Sequence, residues 1–185
     1  MLPFLLPDRL QTERLTLRPL RGEDAPILYS QYTNDAEVAR YLPWGRHSAP
    51  SQTVTMIHYA AELAEQRTAY LLAITLADSP EVPIGLLNLG DSEEGVSVGF
   101  GLVRHQWGKG YGRELVAYLK SWLLEQTGVT QVWAYCDDEN EASARVLIQA
   151  GLQLKDKIQG YAVHPNLSSE PRDCTLFAAH RDTGV

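Results

Sequence analysis

The chain has 185 residues, 44% of them hydrophobic and 21% charged, with a formal net charge of −7. That length suits one domain over residues 1–185, able to bury roughly two-thirds of its unfolded surface, and the acidic balance argues against bulk nucleic-acid binding. No apolar run approaches the ~20 residues that span a bilayer. The two cysteines, Cys136 and Cys174, have no metal-ligand spacing, so no metal is expected and they read as buried thiols of a cytoplasmic protein.

Met1 to Pro7 is apolar without a basic leader, and reads as an arm packed on the fold or on a partner. Glu13 to Leu20 alternates as a strand with Leu15 and Leu17 on one face. Gly22 to Gln31 reads as a helix with acids and a proline in its first turn. A second helix runs from a cap at Asn34 to Leu42, stopped by Pro43, and a third from about Ser51 to Gln66. Tyr70–Ala77, Pro83–Leu89 and Val96–Val103 then read as three strands of an antiparallel meander. Leu115, Val116, Leu119, Trp122 and Leu123 fall at helical spacing, and Gly128 reads as that helix's C-terminal cap. Thr130–Cys136 is a strand. Because strand, helix and strand follow in turn, it is expected to lie parallel to Val96–Val103. Asn140 caps a helix running to Ala150, and strands near Leu152–Ala162 and Cys174–His180 close the chain. The loop His164–Arg172 holds two prolines and reads as mobile. The class is α+β: a mixed, mostly antiparallel sheet flanked by helices.

The most telling stretch is Trp107-Gly-Lys-Gly-Tyr-Gly-Arg-Glu114, which places three glycines where a strand gives way to a helix. There the first backbone N–H groups of the helix lack partners and the dipole is positive. Glycine admits the positive φ values that gather such groups into one hollow, and lets the backbone approach a ligand closely. A phosphate or pyrophosphate is the natural guest. The spacing departs from the dinucleotide fingerprint and from the Walker loop, which needs Ser or Thr after its Lys. A protein binding ATP or NAD is thereby disfavoured.

Leu102-Val-Arg-His-Gln-Trp-Gly-Lys-Gly-Tyr-Gly112 resembles the acyl-CoA signature of the GNAT acetyltransferase superfamily, with Trp107 where Arg or Gln usually stands. That form is similar to the RimJ/RimL-like branch, which acetylates ribosomal-protein N-termini. Thr12–Arg18 resembles the branch's opening strand, Asn140–Leu147 with Ala150-Gly-Leu152 its Asn-x-x-Ser helix, and Asp173–Phe177 its last strand. Leu152 replaces the usual Phe.

The resemblance implies two parallel strands that splay apart, with the pantetheine arm of acetyl-CoA between them. Main-chain groups near Leu102 and Val103 are expected to pair with its amides. The N–H groups of Gly108, Lys109, Gly110, Tyr111 and Gly112 would hold the pyrophosphate. Lys109 and Arg113 would add charge, the ring of Trp107 would pack over the cofactor, and Asn140 would meet the pantetheine while capping its helix. Ser143 stands where the branch has a serine proposed to protonate the departing thiolate. Many family members use a Tyr for this, but the matching position is Leu147.

The expected activity is acetyl transfer from acetyl-CoA to a primary amine, a protein N-terminal α-amine or a small molecule, by direct attack in a ternary complex. The alternative is a non-catalytic acyl-CoA-binding sensor or interaction domain. Freeing an amine from its proton at pH 7 costs roughly 4–5 kcal/mol for a lysine side chain but only about 1 for an α-amine. An enzyme for N-termini therefore needs only a modest base. Glu93 is the candidate, with Asp91, Glu94 and Asp137 as further acids at strand ends. No membrane or nucleic-acid partner is expected, and a homodimer is compatible with the sequence.

Overall fold

The computed structural model describes residues 1–181. Its eight strands are β1 (Leu10–Gln11), β2 (Leu15–Pro19), β3 (Ala69–Leu76), β4 (Ser79–Ser92), β5 (Gly95–Leu102), β6 (Gln131–Asp137), β7 (Gln153–Ala162) and β8 (Arg172–His180). They form one sheet in the order β1-β2-β3-β4-β5-β6-β8-β7. Every neighbouring pair is antiparallel except β5 and β6, which are parallel. The helices are α1 (Ala25–Leu28), α2 (Ala36–Ala39), α3 (Pro50–Gln66), α4 (Tyr111–Glu125) and α5 (Glu141–Gln149). None of them is long and apolar enough to cross a membrane.

The sheet separates the early helices from α4 and α5. Successive side chains on a strand point to opposite faces, and β5 shows both. A Cβ on Gly101 would lie 2.4 Å from the Tyr32 hydroxyl, on the side of the early helices. Phe100, its neighbour, packs against Gly112 of α4 on the other side. The same alternation sorts β6. Ala134 and Cys136 join the apolar cluster beneath α4 and α5, which also holds Val116 and Leu147. Tyr135 and Asp137 therefore face the opposite way.

Several local expectations differ from the structure: α2 stops at Ala39 rather than Leu42, and β4 runs from Ser79 to Ser92 rather than from Pro83 to Leu89. The stretch from Gly22 is not one helix but a 3₁₀ turn (Gly22–Asp24), the short α1 and a π turn (Tyr29–Thr33). Tertiary contacts set this shape. Arg18, buried on β2, grips Asp24 through two 2.8 Å bonds, and Thr33 reaches Thr53 of α3 at 2.8 Å. The cap of α2 is Asp35, which accepts from the N–H groups of Glu37 and Val38, rather than Asn34. And α4 ends at Glu125 with Gln126 as its cap, leaving Gly128 in the turn beyond at φ 86°. The N-terminal arm packs on the fold itself: Leu2 and Phe4 are buried, and Phe4 meets Trp122 edge-on at 5.4 Å.

Candidate active site

Strands β5 and β6 keep register only at Val96↔Val132 and Ser97↔Trp133. From Val98 and Ala134 onward the two diverge, and the gap opens into a cleft of about 790 Å³. Its walls come from both strands, the glycine loop, the first turns of α4 and α5, and the early helices. Two parallel strands that part leave main-chain N–H and C=O groups without ladder partners, and these favour an extended amide-bearing guest.

The loop at the mouth is built as its glycines require. After a 3₁₀ turn (Arg104–Gln106), Gly108 sits at φ 74° and Gly110, the residue that caps α4, at φ 82°. Gly112 serves differently. It lies inside α4, and a Cβ there would stand 3.0 Å from Phe100 and 3.4 Å from Val146. Its bareness lets α4 press onto β5 and α5. Trp107, Gly108, Gly110, Tyr111, Gly112 and Arg113 all line the cleft.

The indole of Trp107 donates to the Leu102 carbonyl at 2.7 Å while its ring stays half exposed. The Val103 N–H donates to Ile84 O at 2.8 Å. One group on each residue expected to meet the pantetheine is thus already engaged, although a carbonyl has a second lone pair to offer. Lys109 points to Gln106, 2.9 Å away, and is outside the cleft lining.

Beneath the loop lies a support absent from the sequence reading. Glu114, in the first turn of α4, accepts from the Thr12 hydroxyl, the Arg14 N–H and the Arg14 guanidinium at 2.5, 2.8 and 2.7 Å. Burial opposes its charge, but these donors outweigh it and hold the Glu114 carboxyl below the usual glutamate range. Arg14 continues to the Lys109 carbonyl at 3.1 Å and lies 4.6 Å above the Tyr111 ring. The residues were visible in the sequence. Their meeting, 100 positions apart, was not.

On α5, Asn140 caps the helix by accepting from the Ser143 N–H at 3.2 Å. Both line the cleft, and the Ser143 hydroxyl stands beside the Cys136 thiol. Burial pushes that thiol up to about 11, which keeps it protonated and unreactive. Leu147 is core.

The acids divide. Glu93 lies in the exposed β4–β5 turn, at the far end of β5 from the glycine loop and outside the cleft lining; Asp91 and Glu94 share that end. Glu94 is paired with Lys155 at 2.8 Å. Of these four only Asp137 lines the cleft, where the one other acid among the described residues is Glu37 of α2. Asp137 is fully buried, bound by Arg172 at 2.5 Å and 3.2 Å and by the Glu139 N–H at 2.9 Å. Burial works against its ionisation, but Arg172 prevails and holds its carboxyl below the usual range.

The wall of the cleft formed by the early helices and the late loop was not legible in the sequence. Tyr32, in the π turn, sets its hydroxyl over Gly101, and burial raises its pKa, so it stays a neutral donor. Tyr41 reaches across to the Glu139 carbonyl at 3.3 Å. The segment read as mobile is tied down by Asn166, which donates to the carbonyls of Ala39 and Trp44 at 2.7 and 2.9 Å and accepts from the Arg46 N–H at 2.8 Å.

Comparison with known proteins agrees with this geometry. A family model described as an acetyltransferase (GNAT) domain matches residues 14–153. The uncharacterised N-acetyltransferase p20 of Bacillus licheniformis is 32% identical over 157 residues, 83% of this chain and 87% of that protein. Two solved structures share the fold at 16% identity. The microcin C7 self-immunity acetyltransferase MccE, in complex with acetyl-CoA and AMP, has a TM-score of 0.82 over 95% of this chain and 98% of that one. RimL, a ribosomal L7/L12 α-N-protein acetyltransferase in complex with coenzyme A, has a TM-score of 0.81 over 95% and 99%. The splayed strands and glycine-capped helix are those of an acetyltransferase, with acetyl-CoA as the acetyl donor. The chain belongs to the GNAT acetyltransferase family.

Proposed function

We propose that the protein transfers the acetyl group of acetyl-CoA directly to a primary amine, with both substrates held at once in the β5–β6 cleft. The observation that carries this reading is the parting of β5 from β6 next to a helix capped by left-handed Gly110. It offers a slot for the pantetheine and a nest of N–H groups, from Gly108 to Gly112, for the diphosphate. Hydrogen bonds to a charged acceptor are worth about 1.5–3 kcal/mol each, so several account for micromolar affinity after the costs of association. Arg113, at the cleft mouth, adds charge. Asn140 serves the pantetheine and its own helix. Ser143 is the proposed proton donor to the departing thiolate. Glu93 stands too far along β5 for the base that the sequence suggested. The acceptor enters from the side of Tyr32 and Tyr41, and an α-amine, on a protein N-terminus or a small molecule, is the class that asks least of a base.

Thermal-shift measurements with acetyl-CoA, CoA, ATP and NAD test the cofactor. The two CoA species are expected to raise Tm and the others to leave it unchanged; the reverse would refute the reading. Labelled acetyl-CoA incubated with the protein and an amine panel is then expected to yield a labelled amide with release of one thiol per acetyl transferred.

A further inference from the structure

The acceptor face of the cleft carries a proton-handling group that the catalytic reading has not used, and its assignment rests on the acetyl-transfer proposal above. His164 opens the late loop, is 2% exposed and lines the cleft. Its Nε2 stands 3.8 Å from Asp137 Oδ2 and 3.8 Å from Cys174 Sγ. Its Nδ1 is buried and has no hydrogen-bond partner among the described residues. Only three buried side-chain polar atoms among those residues are left so, and two of them, His164 Nδ1 and Trp44 Nε1, belong to cleft-lining side chains. Native proteins leave few such atoms, and a ligand group is one of the things that satisfies them.

We infer that His164 is the general base that takes a proton from the ammonium form of the acceptor, with the Asp137 carboxylate behind it to steady the imidazolium. Asp137 cannot do this itself, because both its oxygens are held by Arg172 and one also by the Glu139 N–H. The remaining sequence candidates lie at the other end of β5. Imidazole is the side chain whose change of charge falls nearest neutrality. The titratable groups around the ring are Asp137 and Tyr135 from β6, Cys174 from β8 and Tyr41 from the end of the early helices; behind them Arg172 is bound to Asp137 and to Glu139.

In the step, Nδ1 accepts one proton from R–NH₃⁺. The freed lone pair forms the C–N bond at the thioester carbonyl, and the C–S bond breaks with its pair going to sulfur. The second N–H proton ends on the sulfur, by way of Ser143. Imidazolium carries the one net proton and loses it to solvent.

The test uses two acceptors of nearly one shape, alanyl-alanine amide and its trifluoroalanyl counterpart, whose fluorines make the α-amine so weakly basic that it arrives neutral. Thiol release from acetyl-CoA is followed with the full chain, His164→Gln and His164→Ala, each first shown to keep its acetyl-CoA thermal shift. At pH 6 an α-amine of pKa about 7.8 is less than about 2% neutral. In assays at that pH His164→Gln is therefore expected to slow the alanyl peptide by up to roughly 50-fold and the fluorinated peptide far less, the gap between the two narrowing to less than about tenfold at pH 7. Free imidazole is expected to restore part of the alanyl rate in His164→Ala. Equal slowing of both acceptors, or of neither, overturns the inference while leaving acetyl transfer intact. A wild type that binds acetyl-CoA yet acetylates neither peptide removes the α-amine reading and this base with it.

Discussion

The two halves of the cleft are made from different materials. The half proposed to hold the donor is main chain: a parted strand pair, two left-handed glycines and the first turn of α4, within residues 95–114 except for β6 at Gln131–Asp137. The half proposed to take the acceptor is side chain: Tyr32, Tyr41, Asp137 and His164 line it and Asn166 ties its segments together from behind, all drawn from stretches more than 120 positions apart. Main-chain recognition constrains residues only where bareness is needed, so it leaves a local glycine pattern. Side-chain recognition depends on which distant segments meet, and leaves no pattern at all.

Four substitutions sharpen that contrast. The largest effect is expected from Gly112→Val, since even a Cβ there approaches Phe100 at 3.0 Å and Val146 at 3.4 Å. Overpacking of this kind costs about 1–3 kcal/mol or more; the acetyl-CoA thermal shift is expected to vanish and Tm to fall. Asn166→Ala comes next. It removes three hydrogen bonds, worth about 1 kcal/mol each. Tm is expected to drop and the acceptor KM to rise about tenfold, the equivalent of ~1.4 kcal/mol, with acetyl-CoA affinity unchanged. Should acetyl-CoA affinity fall as far as KM rises, the two halves are not separable.

Gly110→Ala is the mirror experiment. A left-handed alanine costs about 1–2 kcal/mol, so titration should show acetyl-CoA binding weakened by up to about tenfold and the acceptor KM unmoved. The smallest effect belongs to Glu114→Gln. The wild-type carboxyl is held below its ordinary value, so its stabilisation is full above about pH 4.3, the unfolded-state value. It is lost as the pH falls through the lower folded value. Melting curves are expected to show a Tm gap between wild type and variant at neutral pH that closes on acidification.

This division also explains what could be read in advance. The antiparallel meander of β3, β4 and β5 and the positions of Gly108, Gly110 and Asn140 follow from local periodicity and capping chemistry, and the parallel pair from the succession of strand, helix and strand; the short β1 and the insertion of β8 between β6 and β7 do not. Gly112 was found for a reason it does not have: it is not left-handed but tightly packed. Asp35 took the cap from its neighbour Asn34 because two adjacent residues both had suitable side chains, and only the backbone at 35 was extended. Glu93 looked like a base because a turn acid beside a strand resembles a cleft acid until the strand's direction is known. His164 gave no signal. A lone histidine between β7 and a proline acquires meaning only when Asp137 stands 3.8 Å away.

Asn166 joins the late loop to the carbonyls of Ala39 and Trp44, so the two segments proposed to choose the acceptor form one cassette split across the gene. A chimera that imports only the early helices from a relative with another acceptor would break that clasp, and one that imports only the late loop would leave it nothing to hold. Retargeting this enzyme therefore requires exchanging both segments together.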